Sequence, residues 1–121
     1  MRKLAKGYLF ARLVGLIITR ANFLFPGKRL ATTTHWFAIR HPQPAYPVHI
    51  LILPRYAIPD WMSLQVTDPV VYAEFVELSQ RLIREEGLEE KGYRLIVNGG
   101  EYQSIRQLHV HLVCGDPFKQ E

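Results

Sequence analysis

Lys91-Gly-Tyr-Arg-Leu-Ile-Val-Asn-Gly-Gly-Glu-Tyr-Gln-Ser-Ile-Arg-Gln-Leu-His-Val-His-Leu-Val-Cys-Gly115 is the stretch on which the reading of this chain turns. It holds two strand-like runs, 93–98 and 107–113, with a turn at Gly99-Gly100 after the first. Successive side chains on a strand point to opposite faces. In the second run Gln107, His109 and His111 therefore share one face, and Leu108, Val110 and Leu112 share the other. One face is core, and the other presents imidazoles beside a glycine turn. Imidazole titrates near neutrality and serves as nucleophile, general acid or metal ligand, so this face is a candidate site. Two plainer readings compete at this point: histidines incidental to a solvent-facing strand, and a metal site made of His109, His111 and a third ligand such as His49.

Working outward, the run 48–53 is β-branched and apolar, carries His49 and is closed by Pro54, which predicts a strand. A further strand is predicted over 33–39, followed by the proline-rich loop His41-Pro-Gln-Pro-Ala-Tyr-Pro47. Asp68-Pro69 supplies a helix N-cap and a first-turn proline. Val70, Phe75, Leu78 and Leu82 follow at helical spacing, and Gly87 ends the run. Four strands with a single well-formed helix between the second and third predict an α+β domain with a mainly antiparallel sheet.

The 121 residues fit one domain, and 48% hydrophobic with 21% charged residues excludes a disordered or low-complexity chain. A single cysteine, Cys114, excludes an intramolecular disulfide framework and a cysteine-based zinc site, which points to a reducing cytoplasm. The net charge of +4 is unevenly spread: residues 1–59 hold nine Lys/Arg and no Asp/Glu (+9), and the rest hold six against eleven (−5). That division suits an anionic partner for the first half, or neutralisation between halves. Nucleic acid is the weakest of the anionic partners, because no nucleic-acid motif accompanies the charge. Residues 1–20 start basic (Arg2, Lys3, Lys6) and continue as an apolar run shorter than the ~20 residues a spanning helix needs. Arg12 interrupts the run and no cleavage site follows, so a buried N-terminal helix is predicted, with an in-plane membrane helix as the second reading. Residues 1–34 are thus read as a basic, apolar helix and linker, and 35–115 as the core.

The stretch 91–115 resembles the signature of the histidine triad (HIT) superfamily: Gly-Tyr-Arg, an apolar pair, Asn, a glycine turn, Gln-Ser, then alternating histidines followed by apolar residues. Upstream, Pro44-Ala-Tyr-Pro-Val-His49 and the strand running to Pro54-Arg55 resemble the family's proline turn and histidine-bearing strand. The resemblance implies a HIT-like fold, commonly homodimeric, of the Hint-like or dinucleoside polyphosphate hydrolase-like kind. It also implies attack on the α-phosphate of a nucleotide phosphoramidate or dinucleoside polyphosphate through a covalent nucleotidyl-histidine, with no cofactor or metal for that step. His109 falls at the nucleophile position and His111 at the position that contacts phosphate and assists the leaving group. Asn98, Ser104, Gln103, Gln107 and His49 fall at positions that surround the nucleotide and phosphate. The chain departs from the pattern in four places. Gln107 stands at the first triad position, the turn 99–102 is short, the acidic residue that grips ribose is replaced near His41, and the structural-zinc positions are missing. The alternative these departures imply is a catalytically weak nucleotide-binding or membrane-peripheral regulatory module.

Overall fold

The computed structural model describes residues 29–65 and 67–119. The N-terminal helix, and the membrane contact expected of residues 1–20, lie outside the described residues. Five strands form one antiparallel sheet: β1 (Arg29–Thr32), β2 (Trp36–Arg40), β3 (Val48–Pro54), β4 (Arg94–Ile96) and β5 (Val110–Cys114), in the order β1-β2-β3-β5-β4. The one α-helix among the described residues, α1 (Pro69–Glu85), crosses from β3 to β4, with a 3₁₀ turn before it at Trp61–Ser63. Among the described residues no helix is long and apolar enough to cross a membrane.

The helix ends where its sequence signals place them. The Asp68 carboxylate accepts from the Val70 N–H, and Pro69 opens the first turn. Gly87 adopts φ +69°, and the Leu88 N–H donates back to the Ile83 carbonyl while the Leu88 side chain is buried, which is the glycine-ended closure common at helix C-termini. Leu78, Leu82 and Ile83 of α1 pack with Trp36, Ala38, Ile50, Ile52, Val110 and Leu112, the residues that face one side of the sheet. The Trp36 indole N–H donates to the Val71 carbonyl (2.9 Å), and His35 meets Glu74 through both its backbone N–H and its ring, so the helix is pinned to the start of β2.

Three features correct the sequence expectations. Residues 29–32, read as linker, form the edge strand β1. The strand expected from residue 33 starts at Trp36, because Thr33 instead makes the β1–β2 turn: its Oγ1 accepts from the Trp36 N–H, and its own N–H donates to the Trp36 carbonyl. The last strand begins at Val110 rather than Gln107, since the Leu108 N–H leaves the ladder to bond the Ile58 carbonyl (2.7 Å). The alternation of faces survives this: Leu108, Val110 and Leu112 are in the core cluster, and His109 and His111 face the other way.

Candidate active site

On the sheet face away from α1, a cleft of about 430 Å³ opens between the proline-rich loop, β3, β5 and the turn 98–104. His49, Asn98, Gln103, Ser104, His109 and His111, six of the seven residues singled out from the sequence, line it together. Gln107 does not. Its side chain is buried against the loop after β3, with Oε1 accepting from the Ile58 N–H (3.3 Å) and Nε2 donating to the Tyr56 carbonyl (3.1 Å). Only its main chain serves the cleft. His41, Gln43 and Tyr46 are lining residues that the sequence reading did not assign. Glu101, a potential negative charge in the cleft, is exposed and is not among the lining residues.

The imidazoles are fixed in opposite tautomers by partners whose roles are unambiguous. A carbonyl only accepts, so the 2.7 Å contact from His109 Nδ1 to the Gln107 carbonyl is an Nδ1–H donation, and the neutral ring carries its lone pair on Nε2. A backbone amide only donates, so the Ala45 N–H to His49 Nδ1 (3.0 Å) leaves the proton of His49 on Nε2. That proton is donated to His111 Nδ1 (2.8 Å), which in turn places the proton of His111 on Nε2. The Gln43 N–H to His41 Nδ1 (2.9 Å) sets His41 the same way as His49. Of the four rings, His109 alone presents an Nε2 lone pair, with the His111 ring 5.0 Å away, centroid to centroid, at 71°.

One ring nitrogen from each of His41, His49 and His111 lies within 4.8 Å of the other two, a spacing a transition-metal ion could span. The hydrogen bonds favour an anion there. A neutral imidazole that ligates through one nitrogen carries its proton on the other, and in His41 and His49 that place is taken by an incoming amide N–H. His41 and His111 therefore carry Nε2–H groups of the kind a phosphate oxygen accepts from, while that of His49 is spent on His111.

Burial keeps these rings neutral. His111 is pushed down to about 3 by burial and then by His109, His49 and His41, and His41 to about 4 by burial and then by His49 and His109. Burial also lowers His49 and His109, the latter partly offset by its bond to the Gln107 carbonyl. The unfolded chain takes up these protons near the ordinary 6.5, whereas the folded chain does so only lower. Between those values the unfolded state binds more protons. Stability is therefore complete above pH 6.5 and falls as pH drops from 6.5 toward 4 and 3, so melting temperatures measured without phosphate should decline steadily over that interval.

Gln107 makes a second prediction. Gln107→Ala leaves the Ile58 N–H and Tyr56 carbonyl without their partner, at about 1–3 kcal/mol for each group that stays buried, measurable by denaturant melts. The main-chain carbonyl that sets the His109 tautomer remains, so turnover per folded molecule should stay within about tenfold of wild type.

Gln103 plays a scaffolding part as well. Its Nε2 donates to the Pro59 and Ile105 carbonyls (2.7 and 2.9 Å), and its buried Oε1 has no partner among the described residues. Ser104 stands exposed at the cleft rim, and Asn98 is half-buried beyond the end of β4.

A five-stranded antiparallel sheet backed by one helix, with paired histidines of opposite tautomer on its open face, defines an α+β protein with a histidine-lined cleft. The family model described as HIT domain matches residues 24–118, and the chain belongs to that family. Purine nucleoside phosphoramidase of Escherichia coli is 32% identical over 83 residues, 67% of this chain and 70% of that protein. A HIT family hydrolase from Legionella pneumophila superposes with a TM-score of 0.71 at 30% identity, covering 84% of this chain and 92% of that one. A histidine triad protein from Clostridium difficile, at 20% identity, shares the fold with a TM-score of 0.73 over 88% of this chain and 94% of its own. The fold is HIT-like.

Proposed function

We propose that this chain is a hydrolase or nucleotidyl transferase acting on the α-phosphate of a nucleotide phosphoramidate or dinucleoside polyphosphate, with His109 as the nucleophile. The observation that carries the reading is the tautomer pair: a lone pair on His109 Nε2 beside an Nε2–H on His111. In the first step a bond forms from His109 Nε2 to phosphorus, and the bond from phosphorus to the leaving atom breaks, its electron pair leaving with that atom. The His109 ring gains positive charge as it bonds phosphorus. A leaving amine takes the proton of His111 Nε2–H, which a proton from solvent replaces so that the ring stays neutral, and a leaving phosphate departs as an anion. Water then attacks the phosphorus and gives up one proton to solvent, and His109 is released as neutral imidazole. Ser104 and Asn98 supply further donors to the phosphoryl oxygens. Purine nucleoside phosphoramidase activity in a relative 32% identical supports the reaction class. The test is a panel of adenosine phosphoramidate, a lysyl-adenylate mimic and diadenosine polyphosphates, run with wild type and His109→Ala. Turnover confined to wild type supports the reading, and equal turnover in both overturns it.

Homodimerisation belongs to the same proposal. Strand β4 lies at a sheet edge, and Tyr93, Leu95 and Val97 on and beside it are exposed apolar side chains, a surface suited to a second copy. Sedimentation at twice the chain mass supports the dimer, and monomer mass at all concentrations removes it. A cytoplasmic location completes the proposal, on the support of the lone cysteine, Cys114, and the reducing compartment it suits.

A further inference from the structure

We propose that the segment 115–118, which follows β5, is a strap that positions the proton donor of the reaction through the proline-rich loop. The inference rests on the α-phosphate reading, in which His111 Nε2–H serves the leaving amine, and it names Phe118 as a positioning residue. Three observations carry it. First, the loop 41–47 has little with which to hold itself in place: three of its seven residues are prolines, which lack an N–H, and residues 42–45 are exposed. Second, the strap ties that loop down. The Phe118 N–H donates to the Ala45 carbonyl (2.7 Å), and Gly115 passes so close to Pro47 that a β-carbon on it would stand 2.8 Å from the Pro47 ring, at a φ of +91° that favours glycine. Third, the residue tied down is the one that orients the histidines. The Ala45 N–H donates to His49 Nδ1 (3.0 Å), and His49 Nε2–H donates to His111 Nδ1 (2.8 Å).

A neutral imidazole has two tautomers, and His111 with its proton on Nδ1 would turn a lone pair, not a donor, toward the leaving amine. His49 prevents this while its own Nδ1 meets the Ala45 N–H. Loss of that bond lets His49 carry its proton on Nδ1 and present an acceptor to His111, which then takes the wrong tautomer. The Phe118 side chain is 52% exposed, so the main-chain N–H, and not packing of the ring, is what the strap contributes.

The experiment compares wild type with Phe118→Pro, which removes the N–H, and with Phe118→Ala, which keeps it. The ring-nitrogen resonances of His49 and His111 report their tautomers. Phe118→Pro is expected to shift both rings toward mixed tautomers and to lower kcat for adenosine phosphoramidate by about three- to tenfold, the size of one neutral hydrogen bond. The loss should be smaller for a p-nitrophenyl nucleotide ester, whose leaving group needs no proton. Phe118→Ala should keep the wild-type ring resonances, which separates the N–H from general packing. Wild-type tautomers in a folded Phe118→Pro, or the same change in both variants, overturn the strap. Should wild type cleave neither substrate, the α-phosphate reading fails by itself, and the ring resonances still decide the strap. Should Phe118→Pro not fold, exchange of the Phe118 amide proton is compared in wild type and His49→Ala. Faster exchange without the His49 ring supports the strap, and the same rate in both overturns it.

Discussion

His109→Ala is expected to lower turnover of any nucleotide substrate by at least about 10⁴-fold, because it removes the atom that bonds phosphorus and leaves only binding and the surrounding donors to assist water. The ring is buried at 7% exposure, so its loss also costs packing, and the variant must be shown to melt cooperatively before its rate is read. Trapping gives a readout independent of stability. Wild type quenched during turnover should carry a nucleotidyl group on His109 whose phosphorus–nitrogen bond survives alkali and is cleaved by acid. Absence of that adduct, with turnover intact, would replace covalent catalysis by direct attack of water. Substitution by an amide side chain would not rescue the rate. An amide nitrogen has no lone pair with which to attack, whereas His109 owes the lone pair on its Nε2 to donation of Nδ1–H to the Gln107 carbonyl two residues earlier.

That short-range contact explains why so much of the site could be read from the chain. The face carrying His109 and His111 follows from alternation with Leu108, Val110 and Leu112, a local property that holds even where the ladder starts only at Val110. The helix limits are legible for the same reason, since Asp68-Pro69 and Gly87 act on their own backbone neighbourhood. Other features depend on contacts that no spacing announces. The Gln107 side chain bonds the loop around Tyr56 and Ile58, some fifty positions away, so its sequence place among the histidines misleads about where its amide points. His41 reaches the cleft only because β2 pairs with β3, with the His41 N–H donating to the His49 carbonyl where the ladder ends, which brings two loop-flanking histidines to adjoining rings. Strand β1 was hidden by its composition: Arg29-Leu-Ala-Thr32 is too short and mixed to show a period, and its pairing with β2 includes an irregularity between Arg29 and Ala31.

His111→Ala is the companion test, and its effect should depend on the leaving group. With a basic amine as leaving group the loss of the Nε2–H donor is expected to cost about 10²–10⁴-fold in kcat, the usual range for a positioned proton donor. With a leaving group that departs as a stable anion, such as p-nitrophenolate from a nucleotide ester, the same variant should lose much less, because no proton is needed at the bond that breaks. A uniform loss across leaving groups would assign His111 to phosphate binding alone. His49 supplies the intermediate case. It reaches the reaction only through the 2.8 Å bond to His111 Nδ1, itself oriented by the Ala45 N–H, so His49→Ala leaves the donor present but frees its tautomer. A rate loss in His49→Ala with the same leaving-group dependence as in His111→Ala, but smaller, would identify the Ala45–His49–His111 chain as one device whose purpose is to keep a proton on the nitrogen that faces the substrate.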